Sequence, residues 1–96
     1  MAIKIVTIRT RPSVDVKWAD EVIPWEGPGA AWGDAERLDR TIELSDDGLR
    51  AISISLYPDS FDHTYRTPDQ IAHKEKVDAY KEANGIGTKT NDPVKV

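Results

Sequence analysis

His63 and His73 are the two imidazoles of this 96-residue chain, and each has carboxylates close in sequence: Asp59 and Asp62 near the first, Asp69 four residues before the second. A neighbouring carboxylate favours the imidazolium form, so either ring could serve acid–base chemistry. The spacing His63-x9-His73 fits no ordinary metal pattern and implies no third ligand, which makes surface or capping roles the expectation for both. His73 also falls near a helix start, where the dipole disfavours its cation. The carboxylates are scattered. Asp46-Asp47-Gly48 lacks the alternating acids and terminal Glu of a calcium loop and reads as a turn. Asp34, Glu36 and Asp39 read as a solvated loop, and Gly85-Ile86-Gly87 follows a helix where a phosphate loop would open one. Cysteine is absent, which removes disulfides and thiolate chemistry together. No catalytic residue, metal site or cofactor is therefore expected.

The tryptophans are the unusual feature. Trp18, Trp25 and Trp32 recur at intervals of seven, the last two in a stretch dense in glycine and proline. Trp18 fits a helical core stripe. Trp25 and Trp32 either complete an undersized core, anchor a partner, as tryptophan often does at interfaces, or line a small-molecule pocket. No nucleophile, base and orienter can be assembled around them.

Around these residues the chain divides into short elements. Ile3–Thr10 alternates with apolar residues on both faces, predicting an interior strand covered on two sides. Val14, Trp18 and Val22 at i, i+4 and i+8, with Ser13 as N-cap and Pro24 beyond, predict a short helix. A loop over residues 24–39 follows, with a possible helical turn at Asp34–Leu38. Arg40-Thr41-Ile42-Glu43-Leu44, the turn Ser45-Asp46-Asp47-Gly48, and Ala51–Tyr57 predict a β-hairpin. Phe61 and Tyr65 suggest a further helical turn. Thr67-Pro68-Asp69-Gln70 is a capping box opening a helix to Asn84, with Gly85 as its left-handed cap. Its inward residues are expected to be Ile71, Val77, Tyr80 and Ala83, with Ala72 and Ala79 beside them. Residues 1–86 are thus one domain, and residues 87–96 are a polar, unpatterned tail expected to be mobile unless a neighbour holds it.

Composition narrows the partners. Nine Ile, seven Val, four Leu and one Phe make 21 large apolar residues, about 22% and just above the level at which chains fail to fold. So modest a core invites support from a second subunit. With 13 basic and 17 acidic residues the net charge is −4, a poor match to nucleic acid. No run reaches the length of a membrane span and the first residues lack a secretory signal, so a cytoplasmic or virion location is expected.

In element order, and in the hairpin Ile42-Glu43-Leu44-Ser45-Asp46-Asp47-Gly48 followed by Ile52-Ser53-Ile54-Ser55-Leu56-Tyr57-Pro58-Asp59, the chain resembles the ferredoxin-like dimeric α+β barrel group, whose best-known small members are antibiotic-biosynthesis-monooxygenase-like proteins. That resemblance implies an α+β fold: a mainly antiparallel sheet of three to four strands with two helices on one face, and sheets meeting face to face. Catalytic members of the group use an Asn on the first strand, with a Trp and a His lining a pocket between sheet and helices. Here the first strand carries Thr7 and Thr10 and no Asn, which speaks against that chemistry. Tyr80-Lys81-Glu82-Ala83-Asn84-Gly85-Ile86 is also similar to endings of small uncharacterised proteins of tailed bacteriophages. The expected role is a non-enzymatic structural or interaction protein, a homo-oligomer or subunit of an assembly such as a virion. Its expected contacts are Trp25, Trp32 and the small residues Ala51, Ser53 and Ser55 on a second sheet face. The alternative is a monooxygenase-like enzyme whose pocket is lined by Trp18 and a histidine.

Overall fold

The computed structural model describes residues 1–96. The chain forms β1 (Ala2–Thr10), α1 (Ala19–Val22), β2 (Asp39–Leu44), β3 (Arg50–Pro58), α2 (Pro68–Asn84), β4 (Gly87–Thr90) and β5 (Val94–Lys95). All five strands join one antiparallel sheet in the order β2-β3-β1-β4, with β5 continuing beside β1. The protein is therefore a small α+β domain.

The hairpin forms as its turn chemistry predicts. Gly48 takes φ +74°, its N–H donates to the Ser45 carbonyl at 2.9 Å, and the Asp47 carboxylate accepts from Ser45 Oγ and from the Leu49 N–H. The long helix also starts and stops where expected. Thr67 and Gln70 exchange reciprocal bonds at 3.0 and 3.2 Å, and Gly85 at φ +71° lets the Ile86 N–H reach the Lys81 carbonyl.

Residues 87–96 are not a free tail. Thr7 pairs with Thr90 but Lys4 with Val94, so Ile5 and Val6 of β1 oppose Asn91, Asp92 and Pro93 of the tail, a β-bulge between β4 and β5. Ala2 and Val96 then exchange backbone hydrogen bonds at 2.9 and 3.3 Å. Residues near both ends of the chain thus pair with each other.

The first helix is shorter than its apolar spacing suggests. Ser13 Oγ accepts from the Asp15 N–H and closes a local turn, leaving Val14 58% exposed, and only Ala19–Val22 is helical before Pro24. Arg11 carries out what the longer helix would have done: its guanidinium donates to the Gly48 and Val16 carbonyls and stacks 4.5 Å from the Trp18 ring. The Phe61–Tyr65 turn does not act as a helical pair either, since Phe61 packs inward while Tyr65 is 64% exposed.

Nine of 96 residues are buried, among them Ile3, Ile5, Tyr57 and Ile86. Strict alternation puts Ile3, Ile5, Thr7 and Arg9 of β1 on one face with their partners Tyr57, Ser55, Ser53 and Ala51 of β3. Trp32 and Phe61 pack on that face. Phe61 stacks on Tyr57 with ring centroids 4.3 Å apart, and Gly33, at φ +77°, lies so close to Tyr57 Oη that a side chain there would meet it at 2.9 Å.

Candidate functional site

Helix α2 does not press onto the sheet. The inward stripe expected from Ile71 and the alanines is not the one observed: Ile71, Ala72, Ala79 and Ala83 are exposed, and Gln70, His73, Val77, Lys81 and Asn84 turn inward, with Tyr80 beside them. Only Val77 on that stripe is aliphatic, too little apolar area to draw the helix down. Polar tethers to the segment before it hold α2 instead. Gln70 Nε2 donates to the Ala30 carbonyl at 3.3 Å, His73 Nε2–H to the Ile23 carbonyl at 2.9 Å, and Tyr80 Oη to the Lys17 carbonyl at 2.6 Å.

The gap left between α2 and the β1–β4 half of the sheet is an open cleft of about 1000 Å³. At one end Trp25 and Trp32 line it. Trp25 donates its indole N–H to the Gly29 carbonyl and meets the His73 ring edge-on at 5.5 Å, whereas the Trp32 N–H is buried with no acceptor. Arg66 lies 4.8 Å over the Trp32 ring. The other end holds Arg9 of β1 and Lys81 of α2, with Thr7, Thr88 and Thr90 on the floor. Burial lowers the pKa of both cations; Asp20 opposes the shift in each, and Arg9 lowers Lys81 further. Lys74 is paired with Asp78, but Arg9 and Lys81 are in no ion pair.

Both tryptophans are half-buried within the chain and line the cleft, and Trp25 also lines a smaller depression beside Pro24 and Gly27. His73 lines the cleft but is held by Trp25 and the Ile23 carbonyl, and His63 lies exposed at its edge. Trp18 is not part of the lining. No three His, Asp or Glu side chains converge as a metal site would require. Arg9 belongs to a local basic excess in the sequence and Lys81 to the charged residues expected on the outside of the helix, but the structure turns both into the cleft: Arg9 continues the i, i+2 register of Ile3, Ile5 and Thr7, and Lys81 follows Val77 by one helical turn.

The second sheet face has a different composition from the one expected. Ala51, Ser53 and Ser55 lie on the covered face and are buried at 8%, 6% and 8% exposure, so they cannot be an interface there. The opposite face presents Val6 and Ile8 of β1 beside Ile52, Ile54 and Leu56 of β3, an aliphatic strip with Ile54 38% exposed. Strand β1 is central in the sheet, but this side of it has no second layer within the chain, and the molecule is only 17 Å thick along its shortest axis. The rim is polarised. Asp39 and Glu43 of β2 flank the strip on one side, Lys89 of β4 flanks it on the other, and Lys4 of β1 stands at its end opposite Leu56.

No family model, curated protein or solved structure matches this chain. No helix is long and apolar enough to cross a membrane.

Proposed function

We propose that this protein is a small non-enzymatic interaction protein that pairs with a second copy of itself through the open sheet face, forming a homodimer or the repeating unit of a larger assembly such as a virion. The aliphatic strip Val6, Ile8, Ile52, Ile54 and Leu56 carries the reading, because a sheet needs a second apolar layer and the helices lie toward the other face, which they cover only in part, leaving Ile42 and Leu44 of β2 exposed there. Two further features support it. The chain exposes 6452 Å², whereas a monomer of this mass typically exposes about 5500 Å². The difference is close to the roughly 800 Å² that each partner buries in a standard interface. The polarised rim also matches itself under a two-fold axis parallel to the strands, which stacks the acidic β2 edge of one copy over the basic β1–β4 edge of the other.

The strand order β2-β3-β1-β4, with a helix in each of the crossovers β1-to-β2 and β3-to-β4, supports assigning the fold to the ferredoxin-like group. One observation favours the enzymatic alternative: a cleft does lie between sheet and helices, and His73 lines it. Trp18, which that reading also requires, stacks on Arg11 instead.

Sedimentation equilibrium at micromolar concentration tests the dimer. The native chain is expected at twice 10.7 kDa, and Ile54→Asp, which places a charge in the strip without touching the covered core, is expected to sediment as a folded monomer. A native chain that stays monomeric at about 100 µM, a weak affinity for an interface of this size, overturns the proposal.

A further inference from the structure

The cleft presents an aromatic end and a cationic end, and the fold sets the distance between them. Helix α2 follows β3, whose last residue Pro58 pairs with Ala2, and ends where β4 begins opposite Thr10. His73 at the aromatic end and Lys81 at the cationic end are eight residues apart, about 12 Å along a helix. At the cationic end Arg9 and Lys81 project from opposite walls. Two half-buried cations placed together without a carboxylate partner are costly, and a chain with net charge −4 had acidic residues to spare for pairing them. The three acids that also line the cleft do not fill that role: Asp78 is paired with Lys74, and Glu82 and Asp92 are exposed. Asp78 lies within Coulombic range of Lys81, and Asp20 of both cations, but neither carboxylate forms an ion pair with Arg9 or Lys81.

The geometry points to a binding site for a small amphipathic anion, with its phosphate or carboxylate head between Arg9 and Lys81 and its flat apolar body along Val77 toward Trp25 and Trp32. The head would exchange water for charge-assisted hydrogen bonds from guanidinium and ammonium in a partly desolvated place, where such bonds are strongest. Hydroxyls of Thr7, Thr88 and Thr90 flank it on the floor. The body would lie against indole faces. A ligand lacking either part forfeits one end of the cleft. This site is on the face opposite the aliphatic strip, so it stands or falls independently of self-association.

Titration of the isotope-labelled full-length protein with phenyl phosphate and with phenylacetate, followed by backbone and indole N–H resonances, tests the assignment. Either ligand is expected to move Thr7, Thr88 and at least one of the Trp25 and Trp32 indole signals saturably, with Kd near or below about 1 mM. Benzyl alcohol, which lacks the charge, is expected to bind at least tenfold more weakly. Inorganic phosphate is expected to move Thr7 and Thr88 but neither indole. Lys81→Gln is expected to weaken phenyl phosphate at least tenfold and Lys81→Arg to restore most of the loss, both with unchanged spectra elsewhere in the sheet. Lys4→Gln, on the other face, is expected to change nothing. The proposal is overturned if no signal saturates, if the shifts map to Val6 and Ile54, if benzyl alcohol binds equally well, or if Lys81→Gln binds like the native chain.

Discussion

Trp32 concentrates two opposing effects in one side chain. Its ring closes the small core against Tyr57 and Phe61, with centroids at 6.3 and 5.7 Å, and takes Arg66 on its face. Its N–H, however, is buried with no acceptor, a desolvation cost of about 1–3 kcal/mol. The two can be separated by substitution. Trp32→Ala should destabilise the domain by about 3 kcal/mol in a denaturant melt, the lower end of the range for large aromatics because the ring is only half-buried. Trp32→Phe should be neutral within about 1 kcal/mol, since it keeps most of the ring and deletes the orphaned donor. A Phe variant as damaged as the Ala variant would mean the indole nitrogen makes a bond that this structure lacks. The role of Trp32 was half legible in the sequence: its residue type announced an aromatic contact. Its direction was set by Gly33, whose left-handed backbone turns the chain over Tyr57, and spacing alone does not reveal such a turn.

Among the elements, those defined by local chemistry were legible and those defined by pairing were not. The hairpin turn, the Thr67 capping box and the Gly85 cap each have side chains that satisfy their own backbone, so residue types suffice to place them. Strand β4 and the bulge before β5 carry Thr, Lys and Asp in place of an aliphatic alternation. Their stability comes from hydrogen bonds to β1, and Pro93 falls where the bulge breaks the period. The inward face of α2 escaped for a related reason, because tethers at Gln70, His73 and Tyr80 orient the helix more than its apolar residues do. Local satisfaction also makes the hairpin sensitive to acid. Hydrogen bonds from Ser45 Oγ and the Leu49 N–H hold the Asp47 pKa below its ordinary value. The unfolded chain then binds this proton more readily than the folded one, so the contribution is complete above about pH 4 to 5 and is lost as pH falls through the folded pKa. Amide exchange at Leu49 and Arg50, corrected for intrinsic rates, should accelerate on acidification through that window. Asp47→Asn should remove the pH dependence while leaving the turn, and equal acid sensitivity in that variant would assign the effect to another carboxylate.

The whole molecule is one and a half layers: a sheet, and on one side of it two helices that stand partly clear. That arrangement accounts at once for the cleft and for the aliphatic strip, since a chain with only 21 large apolar residues has too few to cover both faces of five strands. Alternation in β1 made both faces visible in the sequence, but not which residues of β3 belonged to which face. Pairing of Ile5 with Ser55 and Val6 with Ile54 settles this, and it moves the expected interface from Ala51, Ser53 and Ser55 to the aliphatic residues between them. For the proposed dimer, the register sets which side chains would meet under each two-fold axis. In the strand-parallel two-fold arrangement Glu43 of each copy faces Lys89 of the other, so every contact occurs twice. Exposed ion pairs contribute about 0.2–1 kcal/mol each, and two of them translate to a two- to thirtyfold change in dimer dissociation constant. Lys89→Glu should therefore weaken the dimer within that range by creating two like-charge contacts, and raising ionic strength should blunt the difference. Adding Glu43→Lys to the same chain should restore the native affinity, because it recreates both pairs with their signs exchanged. A two-fold axis across the strands would instead set Glu43 of one copy over β2 of the other. The double variant would then recover nothing, and sedimentation of the three proteins side by side distinguishes the two geometries.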